Sequence, residues 1–408
     1  MTQPDPAPQR KGPTQAHFGL VAIFGSTFLQ LVGYFMLTPL LVLRLKDGGL
    51  STALTGVFVA TGWLGVFCMT PFASAMTQRL GRRKALWLSA GVPVLTVAGF
   101  VFTDALPLWF ACVFIEGMAA GLRWVLAEAL VAEFSPPLKR GHNVGLFETM
   151  VGMTFVCGPA LLVWIGPQST IALWVVLGLT VTGFWWSLLI PRLPTPPPIT
   201  PARVGLRGVW HALRAHPLIM TIGFMGGFFE SGITSILPLY GLSLGLGAAA
   251  SAMLVSASGL GSALMMLPAG MLADRMAAHP QQRFGDGLSV RLQIMHVCAL
   301  ITLLATLVIP FVAGTPWLAA PVAFLWGGAG GCLYTMAMID IGSREQGITL
   351  VNSTAVLVLS YTLGGVVAPS FGSAALQWAP TLGFPALLLL VAAPGWWLLR
   401  RARSAPTA

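Results

Sequence analysis

Residues 105–128 read ALPLWFACVFIEGMAAGLRWVLAE, an apolar run that is interrupted only by Glu116, Arg123 and the terminal Glu128. A helix rises 1.5 Å per residue, so a run of this length crosses a hydrocarbon core of about 30 Å. An ionisable side chain at the centre of such a helix costs about 2.5–3.5 kcal/mol even on mild insertion scales. The stretch therefore predicts a membrane-spanning helix with candidate functional groups at mid-depth.

The rest of the chain has the same character. Of its 408 residues, 56% are hydrophobic and 8% are charged, whereas a soluble domain carries about 25% charged residues. The short alternating segments of a β-barrel are missing from the sequence. The sequence predicts an all-α integral membrane protein with twelve transmembrane helices, near residues 18–41, 50–76, 85–103, 105–128, 144–166, 170–191, 217–242, 246–272, 292–313, 316–339, 347–374 and 380–399.

The basic residues fall in alternate loops. With twelve spans, 19 of the 22 lysines and arginines lie on the side of both termini, Arg44 and Lys46 lie on the other side, and Arg123 lies within a span. The positive-inside rule then predicts cytoplasmic termini in a bacterial cytoplasmic (inner) membrane. Residues 1–16 lack the order of a cleavable signal peptide, so we expect the first span to be a retained signal anchor. Topology accounts for the net charge of +10, so we expect no nucleic-acid partner.

A proline-rich stretch divides the chain. Residues 191–201 read PRLPTPPPITP, which cannot continue a helix. We expect residues 192–216 to be a cytoplasmic linker between two six-helix bundles, 18–191 and 217–399. Residues 1–17 and 400–408 would form cytoplasmic tails.

Local repeats support two related halves. The motif Gly117-x-x-x-Gly121-x-x-Trp124 recurs 210 residues later as Gly327-x-x-x-Gly331-x-x-Tyr334. The loop TQRLGRRK (residues 77–84) has a shorter counterpart, ADRM, at residues 273–276. Internal repeats of this kind are typical of transporters.

The six-plus-six arrangement and the loop TQRLGRRK resemble the Major Facilitator Superfamily, in which the loop between helices 2 and 3 typically reads G-x-x-x-D-R-x-G-R-R-K. At finer grain, PLYGLSLGL (238–246), LPAGMLADR (267–275) and CLYTMAMIDIGSREQG (332–347) resemble the YcaD-like bacterial members. The resemblance implies a monomer that moves a small molecule by alternating access between two bundles.

The resemblance also implies a gating latch. The expected latch residues are Arg79, Gly81, Arg82, Arg83 and Lys84 in the first loop, with Asp274 and Arg275 in the second. Two departures weaken the pattern, because Gln78 replaces the family aspartate and the second loop lacks the Gly-Arg-Arg run. The alternative is an ordinary positively charged loop.

An antiporter-type pattern in helix 5, G-x8-G-x3-G-P, is partly present. Its first glycine is Gly145, Thr154 replaces the second, and Gly158 and Pro159 complete it. We expect Gly158 and Pro159 to break the helix locally and to allow close helix contact. The pattern favours antiport without establishing it.

Two acids lie at the centres of predicted spans. Glu116 and Glu230 are at the middles of spans 4 and 7, where transporters place their binding sites. Either could exchange a proton for substrate, or could pair structurally with a neighbouring helix. Gln30 lies 200 positions before Glu230 and is the expected pseudo-symmetric partner, able to contact a substrate without titrating.

Other polar residues extend this candidate site. Arg123 follows Glu116 by seven residues and therefore faces the same side of the helix, within about 20°. At a similar depth, Glu148 is the expected ion-pair partner of Arg123. Trp326 and Tyr334 could stack on an aromatic or cationic ligand. Glu128 and Glu133 are expected at the surface or in loop docking.

The sequence shows no phosphate-binding Gly-Lys loop, no metal-ligand spacing and no nucleophile–base set, so we expect no cofactor, no metal and no catalytic residue. It favours a secondary active transporter that works in the lipid bilayer on a small-molecule substrate and protons. Proton-coupled export of an amphipathic compound is the preferred function, and proton-coupled uptake of a metabolite is the alternative. A transporter-like sensor that moves nothing also remains, and an intramembrane enzyme is the least favoured function.

Overall fold

The computed structural model describes residues 13–191, 203–278, 290–312 and 314–404, and every regular element within them is helical. The helices before residue 192 are α1 (Pro13–Asp47), α2 (Thr52–Met69), α3 (Ala73–Leu80), α4 (Arg82–Phe102), α5 (Leu106–Phe134), α6 (Arg140–Ile165) and α7 (Ile171–Leu188). The helices after residue 202 are α8 (Gly205–Ala215), α9 (Pro217–Gly227), α10 (Ile233–Ser243), α11 (Ala248–Ala278), α12 (Val290–Val312), α13 (Pro316–Arg344), α14 (Gly347–Trp378) and α15 (Gly383–Ser404).

The described part of the chain contains 11 helices that are long and apolar enough to cross a membrane. The twelfth predicted span, 217–242, is divided into α9, a π-helical turn (Phe228–Gly232) and α10. Six spans precede residues 192–202, and six follow when the divided span is counted once. The prediction of an all-α membrane protein is confirmed.

The proline-rich stretch lies mostly outside the described residues, but the predicted linker is not irregular throughout. Residues Gly205–Ala215 form α8, an amphipathic helix whose small residues are buried against its neighbours. The Gly205 backbone N–H donates to Ser74 Oγ at 2.9 Å, and Asn352 Nδ2 donates to the Arg203 carbonyl at 2.8 Å. These bonds attach α8 to helices on both sides of residues 192–202.

The N-terminal and C-terminal parts of the chain approach each other most closely where α6 meets α11. Gly141 and Gly270 lie face to face there, and a Cβ on Gly141 would come within 2.1 Å of the Gly270 carbonyl oxygen. Only glycine permits this approach, which brings the backbones into contact. We name the end of the bundle with residues 80–82, 139–142 and 344–347 the latch end.

The fifth membrane span is α6, and its glycine–proline motif lies where α6 meets α1. A Cβ on Gly158 would come within 2.8 Å of the Met36 backbone nitrogen, so the expected close contact is present. The expected helix break is not, because α6 continues through Pro159 to Ile165. The helix absorbs the proline within its last two turns.

Candidate functional site

A cavity of about 750 Å³ lies between the two parts of the chain, within the usual range for drug-sized ligands. Its walls are mostly apolar and come from α1, α2, α4, α5, α6, the π turn, α11, α13 and α14. The predicted site residues that line it are Gln30, Glu116, Arg123, Glu148, Glu230 and Tyr334. A fourth acid, Glu128, lines it as well.

Glu230 lies on the π turn between α9 and α10. Ser262 Oγ of α11 donates to Glu230 Oε1 at 2.6 Å, and the Tyr361 side chain of α14 lies within hydrogen-bonding range. π turns inside helices frequently occur at functional positions, because they change the direction of a side chain and interrupt the regular backbone hydrogen bonds of the helix. The turn directs Glu230 to the cavity.

Glu128 was predicted at the surface or in loop docking, and that prediction is wrong. Its carboxylate is buried and accepts hydrogen bonds from Trp124 Nε1 at 2.5 Å and from the Tyr334 hydroxyl at 2.7 Å. Trp124 and Tyr334 belong to α5 and α13, so Glu128 links the two parts of the chain. The i, i+4 spacing of Trp124 and Glu128 puts both side chains on one face of α5, but it does not indicate what that face contacts.

Glu148 and Arg123 line the cavity but do not form the predicted ion pair. Arg123 Nη2 donates instead to Ser26 Oγ at 2.6 Å, and Ser26 donates onward to the Gly183 carbonyl. Glu148 lies within electrostatic range of Glu128 and Glu230. Its Oε1 has no hydrogen-bond partner within the described part of the chain, although the side chain is only 5% exposed.

Glu116 occupies a separate position in the same cavity. With Tyr34 it also lines an adjoining cavity of about 240 Å³ formed by α1, α2, α5 and α6. Its side chain is buried, and Oε2 has no hydrogen-bond partner among the described residues. Glu116 is therefore a second buried carboxyl group with an uncommitted oxygen.

Gln30 has a structural role in addition to its place in the wall. Its Nε2 donates to the Ala90 carbonyl at 3.1 Å and to the Thr180 carbonyl at 3.0 Å, so one amide fastens α1 to α4 and α7. Both amide hydrogens are used, and only Oε1 is left for a substrate.

Three aromatic rings form one side of the cavity. The Tyr361 ring lies 5.0 Å from the Tyr334 ring and 5.6 Å from the Trp124 ring, both edge-on. The structure places Trp326 outside the cavity wall, in the core of the C-terminal part, where its ring packs against Phe229 and Phe384. Tyr361, which the sequence did not single out as a site residue, lies in the cavity wall, where Trp326 was expected.

Asp274 joins the two parts of the chain at the latch end. Its Oδ1 and Oδ2 accept hydrogen bonds from the backbone N–H groups of Gly141, at 2.8 Å, and His142, at 2.7 Å. These donors are at the N-terminus of α6, where a negative charge is favoured by the helix dipole. The family aspartate that Gln78 replaces in the first loop is thus present and engaged in the second.

The first loop is held mainly by Arg82. Its Nη1 lies 2.5 Å from Glu133 Oε2, and its side chain is only 3% exposed. Gly81 adopts a φ of 80°, which allows the chain to turn directly into α4. Arg82 also lies beside Gly347 at the start of α14, across the interface. This arrangement fits the loop-docking expectation for Glu133.

The remaining predicted latch residues differ in their contacts. Arg83 Nη2 donates to the Leu188 carbonyl at 3.1 Å, and its guanidinium stacks over Trp87 at 4.4 Å. Arg79, Lys84 and Arg275 have exposed side chains. Arg83 therefore fixes α4 to α7 within the N-terminal part.

The same fold and sequence pattern occur in known proteins. The uncharacterized MFS-type transporter YfkF of Bacillus subtilis (strain 168) is 22% identical over 342 residues, 83% of each chain. The uncharacterized MFS-type transporter YcaD of Shigella flexneri serotype 5b (strain 8401) is 25% identical over 346 residues, 84% of this chain and 85% of its own.

Solved structures share the fold at lower identity. The human organic anion transporter MFSD10 (TETRAN) has a TM-score of 0.76 at 16% identity, covering 94% of this chain and 99% of its own. The transporter FucP, in the outward conformation, has a TM-score of 0.74 at 14% identity with the same coverage. The sequence model of the family described as the Major Facilitator Superfamily matches residues 23–347 of this chain. With its helical membrane fold and this match, the chain belongs to the Major Facilitator Superfamily.

Proposed function

We propose that this transporter exports a small amphipathic compound in exchange for protons, by alternating access. The observation that carries the proposal is the cavity between the two parts of the chain, where Glu116, Glu128, Glu148 and Glu230 share a mostly apolar chamber with Arg123. Buried carboxyl groups can bind and release protons, and apolar walls suit a substrate that also partitions into lipid. Both requirements of the exchange are met in one place.

Coupling follows when proton and substrate use the same groups. Glu230 and Glu116 are the proposed proton-binding residues, since each lies at mid-depth in its span and faces the cavity. Protonation from the outer side would release the substrate, and proton release to the cytoplasm would restore its site. One pH unit is worth 1.36 kcal/mol and 100 mV about 2.3 kcal/mol per charge, enough for a gradient of tens- to hundreds-fold.

The latch end supplies the proposed gate. Asp274 at the N-terminus of α6 joins the two parts of the chain there, and Arg82 packs beside the start of α14. Glu128 and Tyr334 add a bond between α5 and α13. All of these contacts must break before the cavity can open at the latch end. They therefore stabilise the conformation in which that end is closed.

We propose that the latch end faces the bacterial cytoplasm, that the protein lies in the inner membrane, and that it works as a monomer. The distribution of lysine and arginine supports the orientation. Reporter fusions at the C-terminus test it: green fluorescent protein should fluoresce there, and alkaline phosphatase should be inactive. Active alkaline phosphatase at this position would reverse the orientation.

Proton movement in inverted membrane vesicles tests the function. The vesicles are energised, a pH-sensitive dye is quenched, and a panel of cationic, neutral and anionic compounds is added. A compound that restores fluorescence with wild-type protein but not with Glu230→Gln supports proton antiport through Glu230. Asp104→Asn, which removes an exposed charge outside the cavity, is the matched control and should behave as wild type.

Uptake is the second candidate. FucP of E. coli is a fucose:proton symporter, and it has the same fold. Symport would acidify right-side-out vesicles together with substrate entry, the opposite sign from antiport. No compound-dependent proton movement in either preparation would instead favour a sensor that moves nothing.

A further inference from the structure

The charge balance of the cavity identifies a class of substrate. Four carboxyl groups and one guanidinium line it. We propose that the substrate is an organic cation, whose charged group binds between Glu148 and Glu230 and whose apolar part lies against the rings of Tyr334 and Tyr361. This inference rests on the proposed transport function and specifies its ligand.

Three of the four acids form one cluster. Glu148 on α6 lies within electrostatic range of Glu128 on α5 and of Glu230 on the π turn. Tyr361 is within range of all three. Because the acids come from both sides of the interface, a ligand that binds among them contacts both parts of the chain. Such a ligand is in a position to control their relative movement.

The acids of the cluster differ in how fully they are satisfied. Glu128 accepts bonds from Trp124 and from Tyr334, which makes it a fixed part of the wall. Glu230 has the Ser262 hydroxyl as a donor. Glu148 is buried, and its Oε1 has no partner in the described residues. Burying a carboxylate oxygen without a hydrogen-bond donor costs free energy unless a cation or a proton binds to it.

The basic group of the cavity, Arg123, makes its side-chain hydrogen bond away from the acids, and its Nε has no hydrogen-bond partner among the described residues. Arg123 donates to Ser26 on α1, and Ser26 is bonded in turn to α7. Arg123 is therefore directed to the N-terminal helices, and it forms no ion pair with Glu148 among the described contacts. The groups that face Glu148 across the cluster are acids and phenols, from α5, the π turn, α13 and α14.

The aromatic rings complete the site. Trp124, Tyr334 and Tyr361 lie edge to face beside the acids. Their π faces attract a cation, and the attraction is strongest in a site without water. An anion of the same size would meet three carboxyl groups and the negative faces of the rings. The cavity therefore selects by charge as well as by size and apolarity.

Two ions of matched shape test the proposal. Tetraphenylphosphonium is a cation, tetraphenylborate is the corresponding anion, and both are apolar at the surface. Equilibrium dialysis of the purified full-length protein measures their binding at pH 8 and at pH 5.5. We expect saturable binding of tetraphenylphosphonium that weakens at pH 5.5 as protons occupy the acids, with no saturable binding of tetraphenylborate.

Substitutions locate the site. Glu148→Gln and Glu230→Gln should each weaken tetraphenylphosphonium binding about tenfold or more, because a charge is lost and the shape is kept. Glu148→Asp should retain part of the affinity, and Asp104→Asn all of it. Gel filtration shows which variants are folded. If neither Gln variant folds, the comparison of the two ions on wild-type protein still decides the question.

The proposal is overturned if tetraphenylborate binds as tightly as tetraphenylphosphonium, if the cation shows no saturable binding, or if the folded Gln variants bind it as wild type does. These results are separate from the test of transport. Proton exchange with neutral or anionic compounds only would leave proton-coupled export standing and remove the cation site. Saturable cation binding without compound-driven proton movement would leave the cation site standing and remove proton-coupled export.

Discussion

The Tyr334 hydroxyl on α13 lies 2.7 Å from Glu128 Oε1 on α5, so a hydrogen bond to a buried carboxylate joins helices from the two parts of the chain. The residues are 206 positions apart in sequence. They lie in the wall of the main cavity, the proposed substrate site. The bond therefore ties the wall of the cavity to the interface between the two parts of the chain.

Tyr334→Phe removes this bond and keeps the ring. Because the acceptor is a buried carboxylate, we expect a loss of about 1.5–3 kcal/mol in the free energy of unfolding. The melting temperature in detergent measures it. Tyr240→Phe is the matched control, since the Tyr240 hydroxyl donates to the neutral carbonyl of Thr381 at 3.1 Å and should cost less, about 0.5–1.5 kcal/mol. Equal losses in the two variants would contradict the role assigned to Glu128.

Glu133→Gln tests the pair that holds the first loop. Arg82 is buried, and losing its partner leaves an uncompensated charge, for which we expect a cost of about 3–5 kcal/mol. A fall in the melting temperature reports it. Lys84 is exposed in the same loop, so Lys84→Gln should change stability by less than about 0.5 kcal/mol. A Glu133→Gln protein that melts at the wild-type temperature would show that Arg82 does not depend on this pair.

Asp274→Asn tests the gate. The substitution removes the charge and one acceptor from the N-terminus of α6, a loss of about 1–2 kcal/mol from the closed latch end. Spin labels at Leu138, in the short turn just before α6, and at Ala277, at the end of α11, are both exposed and report the separation of these two helix ends in a protein whose five cysteines have been replaced. The distance distribution should shift to longer values, and Asp104→Asn should leave it unchanged. An unaltered distribution in Asp274→Asn would argue against a gating latch.

Gln78→Asp should act in the opposite direction. Gln78 lies at the exposed end of α3, a helix that contacts α14, and the N-cap residue of α14, Gln346, makes no side-chain capping bond. A negative charge on α3 that reaches this helix end would be worth about 0.3–1 kcal/mol to the closed state. Spin labels across α3 and α14 should show a narrower distribution at short distance. Broadening would mean that the first loop does not use the helix end.

Helix order and membrane character were predictable from the sequence, because a helix in lipid needs an apolar run of known length. The position of Glu128 was not. The apolar run ends there, but α5 continues to Phe134, since its last turns are surrounded by protein instead of lipid. The end of an apolar run therefore does not tell whether the next helical turn is surrounded by water or by protein.

The fine geometry of the cavity also depends on packing between distant helices. The π turn at Glu230 follows Gly227, whose backbone packs closely against that of Tyr361. No local sequence pattern indicates this turn. Arg123 was matched with Glu148 by depth alone, whereas its hydrogen bond goes to Ser26. Depth along a helix can be counted from the sequence, but the direction of a side chain between helices cannot.

Purified protein in liposomes gives the most direct test of whether the cavity exchanges an organic compound for protons. A pH indicator is trapped inside, and a gradient of a compound identified with the vesicle panel is imposed without any initial pH difference. Antiport through Glu230 predicts proton movement against the direction of the compound, and none with Glu230→Gln. Protons that move with the compound, or a compound flux that moves no protons, would contradict it.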